Sequence, residues 1–192
     1  MKSVFPIPAL VLLALTGLPL AAHAACPTDL EAAAVAAAIV ARQPVPVPAG
    51  EMSVADGLCG RDKVVRYLAQ ISGPVVGYKA GLTNLAVQQR FKHDAPLRGT
   101  LFQGMLLRDG AELAVDYGIR PVFEADLVVE VADPAALAKA DTPLAALKAL
   151  KSYAPFIELP DLMVADPSKL GGAMLAMVNV GARAGVLGKA TR

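Results

Sequence analysis

After a long apolar opening, the chain settles into short apolar groups whose spacing changes every ten to twenty residues. Thr28-Asp29-Leu30-Glu31 has the form of a capping box, and the Ala-rich run behind it predicts a helix to about Arg42. Alternating prolines over residues 43–48 exclude a helix there, because each removes a backbone donor and extends the residue before it. Helical spacing returns over residues 53–70 and ends at Ser72-Gly73-Pro74; residues 75–80 then read as a strand, and Thr83 or Asn84 can cap a short helix. Short strands are expected at 100–102 and 105–107. Asp109-Gly110 suggests a hairpin into a further strand at 112–115.

The most strand-like run is 122–131, and helices should follow Asp133-Pro134 and Thr142-Pro143, each a cap residue before a proline at the first helical position. Leu144, Leu147 and Leu150 recur every third residue and mark the expected buried face of the second. Strands at 153–159 and 184–187, with a helix over 169–180 between them, complete an α+β pattern without internal repeats.

Composition adds the compartment. Lys2, an apolar stretch over residues 4–20 and Ala22-His23-Ala24 have the form of a signal peptide with its cleavage site, so residues 1–24 are expected to be removed on export to the periplasm. A retained anchor is the alternative; Pro6, Gly17 and Pro19 interrupt the stretch, which is short for a span of roughly 20 residues. Cys26 permits a lipid anchor only with a poor lipobox, since His23 stands three residues before it. Beyond the leader, 25–50 reads as an N-terminal helix and Pro-rich linker and 51–192 as the main domain.

The formal charge of +1 becomes zero without Lys2, and no Lys/Arg run appears, which disfavours nucleic acid and anionic membranes as partners. Cys26 and Cys59, with no C-x-x-C, read as one disulfide in an oxidising compartment, two free thiols being the alternative. His93 is the one histidine left after processing, which excludes multi-histidine zinc sites.

Glu124 and Asp126 lie two apart in the 122–131 strand, on one side and roughly 7 Å apart at the backbone, with Ala125, Leu127 and Val129 expected to turn to the core. Glu158 sits in Phe156-Ile157-Glu158-Leu159-Pro160, an acid in an apolar extended stretch. Two readings fit these carboxylates. A solvated face needs nothing more, whereas a buried one needs a cation, and three oxygen ligands suit Mg²⁺ or Mn²⁺, with Ca²⁺ also compatible.

Four ordered segments carry a resemblance. Gly77-Tyr78-Lys79-Ala80-Gly81-Leu82-Thr83, the stretch from Gln88-Gln89 through Asp94-x-Pro96-x-x-Gly99-x-Leu101-Phe102, Pro121-x-x-Glu124-x-Asp126 and Ala154-Pro155-Phe156-Ile157-Glu158 together resemble the 2-keto-4-pentenoate hydratases. These enzymes belong to the fumarylacetoacetate hydrolase-like superfamily. The resemblance implies a mixed β-roll or barrel with flanking helices. It also implies hydration of 2-hydroxy-2,4-dienoates to 4-hydroxy-2-oxo acids with Mg²⁺ or Mn²⁺; close relatives decarboxylate related 2-oxo acids. By it, Glu124, Asp126 and Glu158 are the metal ligands, Lys79 lies beside the substrate and Asp94 positions the substrate or its water. Asp126 stands where the family usually has Glu.

The family's chains continue well beyond the segment matching residues 184–188, so the roll is expected to be incomplete at the C-terminus. Metal binding with poor turnover is then the expectation, unless a homo-oligomer supplies the missing wall. The rival reading is a non-catalytic homologue that binds a small anion or a partner.

Overall fold

The computed structural model describes residues 26–48 and 50–191; the leader and its cleavage site lie outside the described residues. Two capped helices open the fold. In α1 (Asp29–Ala41), the Thr28 hydroxyl accepts from Glu31 N while the Glu31 carboxylate accepts from Thr28 N; Ser53 and Asp56 repeat the arrangement at α2 (Val54–Ser72). Each box satisfies amides that a helix start would otherwise leave unpaired. Cys26 and Cys59 form a disulfide with Cα atoms 5.6 Å apart, tying the start of α1 to α2.

Strand β1 (Val75–Gly81) pairs antiparallel with β2 (Leu97–Phe102), and α3 (Leu85–Arg90) lies between them in sequence. The second sheet is mixed, in the order β3-β6-β5-β4. It contains β3 (Leu106–Arg108), β4 (Glu124–Val131), β5 (Leu150–Leu159) and β6 (Ala184–Leu187), with β3 and β6 parallel and the other pairs antiparallel. Two short helices, α4 (Pro134–Ala138) and α5 (Pro143–Lys148), join β4 to β5. The core gathers Val35 and Ile39 of α1, Val64 and Leu68 of α2, Phe102, Met163 and the helix α6 (Gly172–Met177). No helix among the described residues is long and apolar enough to cross a membrane.

Four expectations change. The proline run is packed rather than a free linker: Val45 is buried and exchanges backbone hydrogen bonds with Met163 and Ala165. Residues 112–115 form no strand, because that segment passes instead through turns toward Asp161. Leu144 and Leu147 are exposed, since α5 is six residues long and, among the described residues, packs chiefly against α4 and β5 without burying a side chain. Most consequential, the β4 positions expected to face the core point outward. Leu127 is 61% exposed, and Ile157, opposite Ala125 on β5, is 53% exposed. On β5 the face carrying Ala154, Phe156 and Glu158 turns inward, whereas Glu124 and Asp126 of β4 line the cavity but stay exposed.

The disulfide closes a separation of 33 residues, for which the chain-entropy model gives about 3–4 kcal/mol. Reduced protein, or Cys59→Ser, should therefore lose about that unfolding free energy and unfold at a lower urea midpoint. An unchanged midpoint would mean that the bridge does not constrain the unfolded chain.

Candidate active site

In the antiparallel register Glu124 stands directly opposite Glu158, and Asp126 opposite Phe156. Directly opposed residues share a face, so all three acids look toward the same side of the sheet. Lys79 approaches from β1, in the other sheet. Its ammonium forms an ion pair with Glu158 Oε1, the lysine side chain being 9% exposed and the glutamate 4%. Opposite Lys79 on β2 is Gly99; a side chain there would run into the Lys79 stem and the Asn179 carbonyl, each 2.8 Å from where its Cβ would lie. Glycine therefore clears the path along which Lys79 crosses between the sheets.

Asn179 secures this corner. Its Oδ1 accepts from Thr100 N at 2.7 Å and its Nδ2 donates to Thr100 O at 2.8 Å, clamping β2 to the turn that follows α6. Asn179 and Val180 both adopt left-handed backbone, with φ of 56° and 55°. That conformation is rare for a β-branched residue, and the double hydrogen bond holds it in place. Val180 consequently lines the same cavity as Lys79.

The cavity has a volume of about 720 Å³ and is bounded by Lys79, Glu124, Asp126, Glu158 and apolar residues such as Phe156 and Leu175. Burial pushes the Glu158 carboxyl above the usual carboxylate range; the Lys79 ammonium pulls it back, while Glu124 and Asp126 add to the rise. Because the folded chain holds this proton more tightly than the unfolded one, folding takes up a proton between the two pKa values. Stability of metal-free protein should therefore fall as pH climbs through that window, and Glu158→Gln should flatten the fall. Urea melts at a series of pH values test this, and parallel profiles would mean that Glu158 titrates normally.

A divalent cation can be weighed against these donors. Glu158 Oε1 is buried, and its partner is the Lys79 ammonium. A buried hard carboxylate oxygen, with two further carboxylates on the same face, is a donor set whose chemistry fits a cation of the Mg²⁺ class. Glu124 and Asp126 are exposed, however, and Asp126 Oδ1 turns back to accept from Leu127 N at 2.7 Å. Among the described residues no three His, Cys, Asp or Glu side chains are gathered at ligand distances. The donor chemistry fits; the acids share a cavity without closing on one point.

Asp94 does not line this cavity. Beyond α3 the chain turns through left-handed Lys92, φ 50°, and takes Asp94 to a separate depression beside His93 and Gln88. The sequence reading also missed a second buried pair. Asp161 is fully buried, accepts from Ile119 N and Arg120 N, and holds Arg183 Nε at 2.9 Å. An acid directly after Leu159-Pro160 in so apolar a stretch was the available signal.

No family model matches the chain. Among solved structures, 4-oxalocrotonate decarboxylase from Pseudomonas putida G7, complexed with magnesium and adipate, superposes with a TM-score of 0.71 at 21% identity, over 83% of this chain and 61% of that one. The same enzyme complexed with calcium and acetate gives 0.68 at 21% identity with equal coverage. This chain thus spans 61% of the length of the enzyme it matches. At that identity the likeness establishes the fold: the α+β class expected from sequence is the one observed, with no closed barrel among the described residues.

Proposed function

We propose that this chain is a metal-dependent lyase for small 2-oxo or 2-hydroxydienoic acids, adding water to 2-hydroxy-2,4-dienoates to give 4-hydroxy-2-oxo acids. The observation that carries the reading is the buried Lys79–Glu158 pair, with Glu124 opposite Glu158 in register and Asp126 on the same face of one cavity. Glu124, Asp126 and Glu158 would hold Mg²⁺ or Mn²⁺, which supplies Lewis-acid polarisation of the substrate's 2-oxygen. Lys79 provides the positive charge for the substrate carboxylate, and Phe156, Leu175 and Val180 give the hydrocarbon tail an apolar wall. The solved decarboxylase, complexed with a divalent cation and a small carboxylate, favours decarboxylation of a related 2-oxo acid as the second reading. Export to the periplasm is part of the proposal and rests on the leader's sequence.

Loss of the dienol's ultraviolet absorbance, with product identification, tests the activity. Turnover should require added Mg²⁺ or Mn²⁺, and Lys79→Ala should lower kcat/KM by roughly a hundredfold or more. Release of CO₂ from a 2-oxo-enedioate without hydration would transfer the assignment to decarboxylation. Metal binding without turnover of either substrate class would leave a non-catalytic anion binder. Sedimentation of the same sample shows whether activity accompanies a homo-oligomer, which the position of β4 at the end of the sheet among the described residues invites.

A further inference from the structure

Lys79 is paired with Glu158, the buried carboxylate of the proposed ligand set. Its ammonium touches Oε1, both side chains are almost wholly buried, and Glu124 and Asp126 remain outside this contact and exposed. Three carboxylates on one face carry three negative charges, of which one ammonium answers one. That imbalance accounts for the spread arrangement: Glu158 is neutralised in the interior, while the other two keep their hydration. A divalent cation brought to Glu158 would repel the ammonium strongly, because both would stand in a partly buried site of low effective dielectric.

We propose that Lys79 and the divalent cation exclude one another at Glu158, so that the cation's arrival frees the ammonium for the carboxylate of the incoming acid. The inference rests on the metal reading above and adds an order of binding, cation before acid. The lysine stem is long and flexible, Gly99 leaves its path open, and the cavity gives the displaced ammonium somewhere to go. In metal-free protein Glu158 then holds the Lys79 charge, so an incoming acid lacks that partner although Arg90 also lines the cavity.

The test is Mn²⁺ calorimetry on the full chain after chelator treatment, comparing wild type with Lys79→Met, Lys79→Gln and Lys79→Arg. Lys79→Met and Lys79→Gln should bind Mn²⁺ at least tenfold more tightly, whereas Lys79→Arg, which keeps the charge, should stay near wild type. Oxalate binding to the Mn²⁺-loaded protein should weaken at least tenfold in the two uncharged variants. Thermal melts establish that each variant is folded, and two uncharged replacements guard against the failure of one. Equal or weaker Mn²⁺ binding by folded uncharged variants overturns the exclusion while leaving the metal site standing. Tighter binding by Lys79→Arg as well would show that charge is not the cause and overturns it too. If neither wild type nor any variant binds Mn²⁺, the metal reading itself falls, and this inference with it.

Discussion

Asp161→Ala should lower the unfolding free energy by about 3–5 kcal/mol, the range for breaking a buried ion pair from one side. Asp161 has no solvent exposure, and its carboxylate gathers the backbone amides of Ile119 and Arg120 as well as Arg183 Nε. Arg183 in turn donates to the Ile39 carbonyl of α1, so the pair joins the 117–120 turn, the end of β5 and the first helix. Alanine would leave a guanidinium that is 13% exposed without its carboxylate, and two amides without their acceptor. Asp161→Asn, which keeps the shape and one acceptor, should cost less. Urea unfolding of both variants measures the difference. A loss below about 1 kcal/mol for Asp161→Ala, typical of an exposed pair, would remove it from this structural role.

Glu158→Ala should weaken Mn²⁺ binding by more than roughly a hundredfold, beyond what loss of an outer-shell partner usually costs. The substitution removes the buried carboxylate of the proposed ligand set and leaves the Lys79 charge uncompensated. Glu124→Ala should also abolish tight binding, since Glu124 stands directly opposite Glu158. Asp126→Ala should cost less, because that carboxylate is exposed and already engaged by Leu127 N. Calorimetry on chelator-treated protein gives all three values. Wild-type affinity in Glu158→Ala or Glu124→Ala would take that residue out of the site.

Local structure was legible wherever neighbouring residues settle it. Thr28 with Glu31, and proline behind Asp133 and Thr142, mark helix starts because the capping bonds close within three residues. The two-residue alternation of Glu124 and Asp126 placed both acids on one side, a property of any strand. Which side was inward lay beyond that reasoning. Alternation assigns apolar residues to the core by default, and here Leu127 and Ile157 lie outside while the acids line the cavity. A short-range pattern names two faces but not the layer that covers either.

By itself the sequence determined most of the helices and strands, though not the absence of a strand at 112–115, together with the resemblance that singled out Lys79, Glu124, Asp126 and Glu158 and the two cysteines available for a bridge. Tertiary structure alone decided that Lys79, from a different sheet, meets Glu158, that Asp94 stays away from them, and that Asp161 and Arg183 form a buried joint. The physical reason is range. Caps, prolines and strand alternation act over a few residues, whereas an ion pair spanning 79 positions of chain forms only when packing brings two sheets together and drives water from between them.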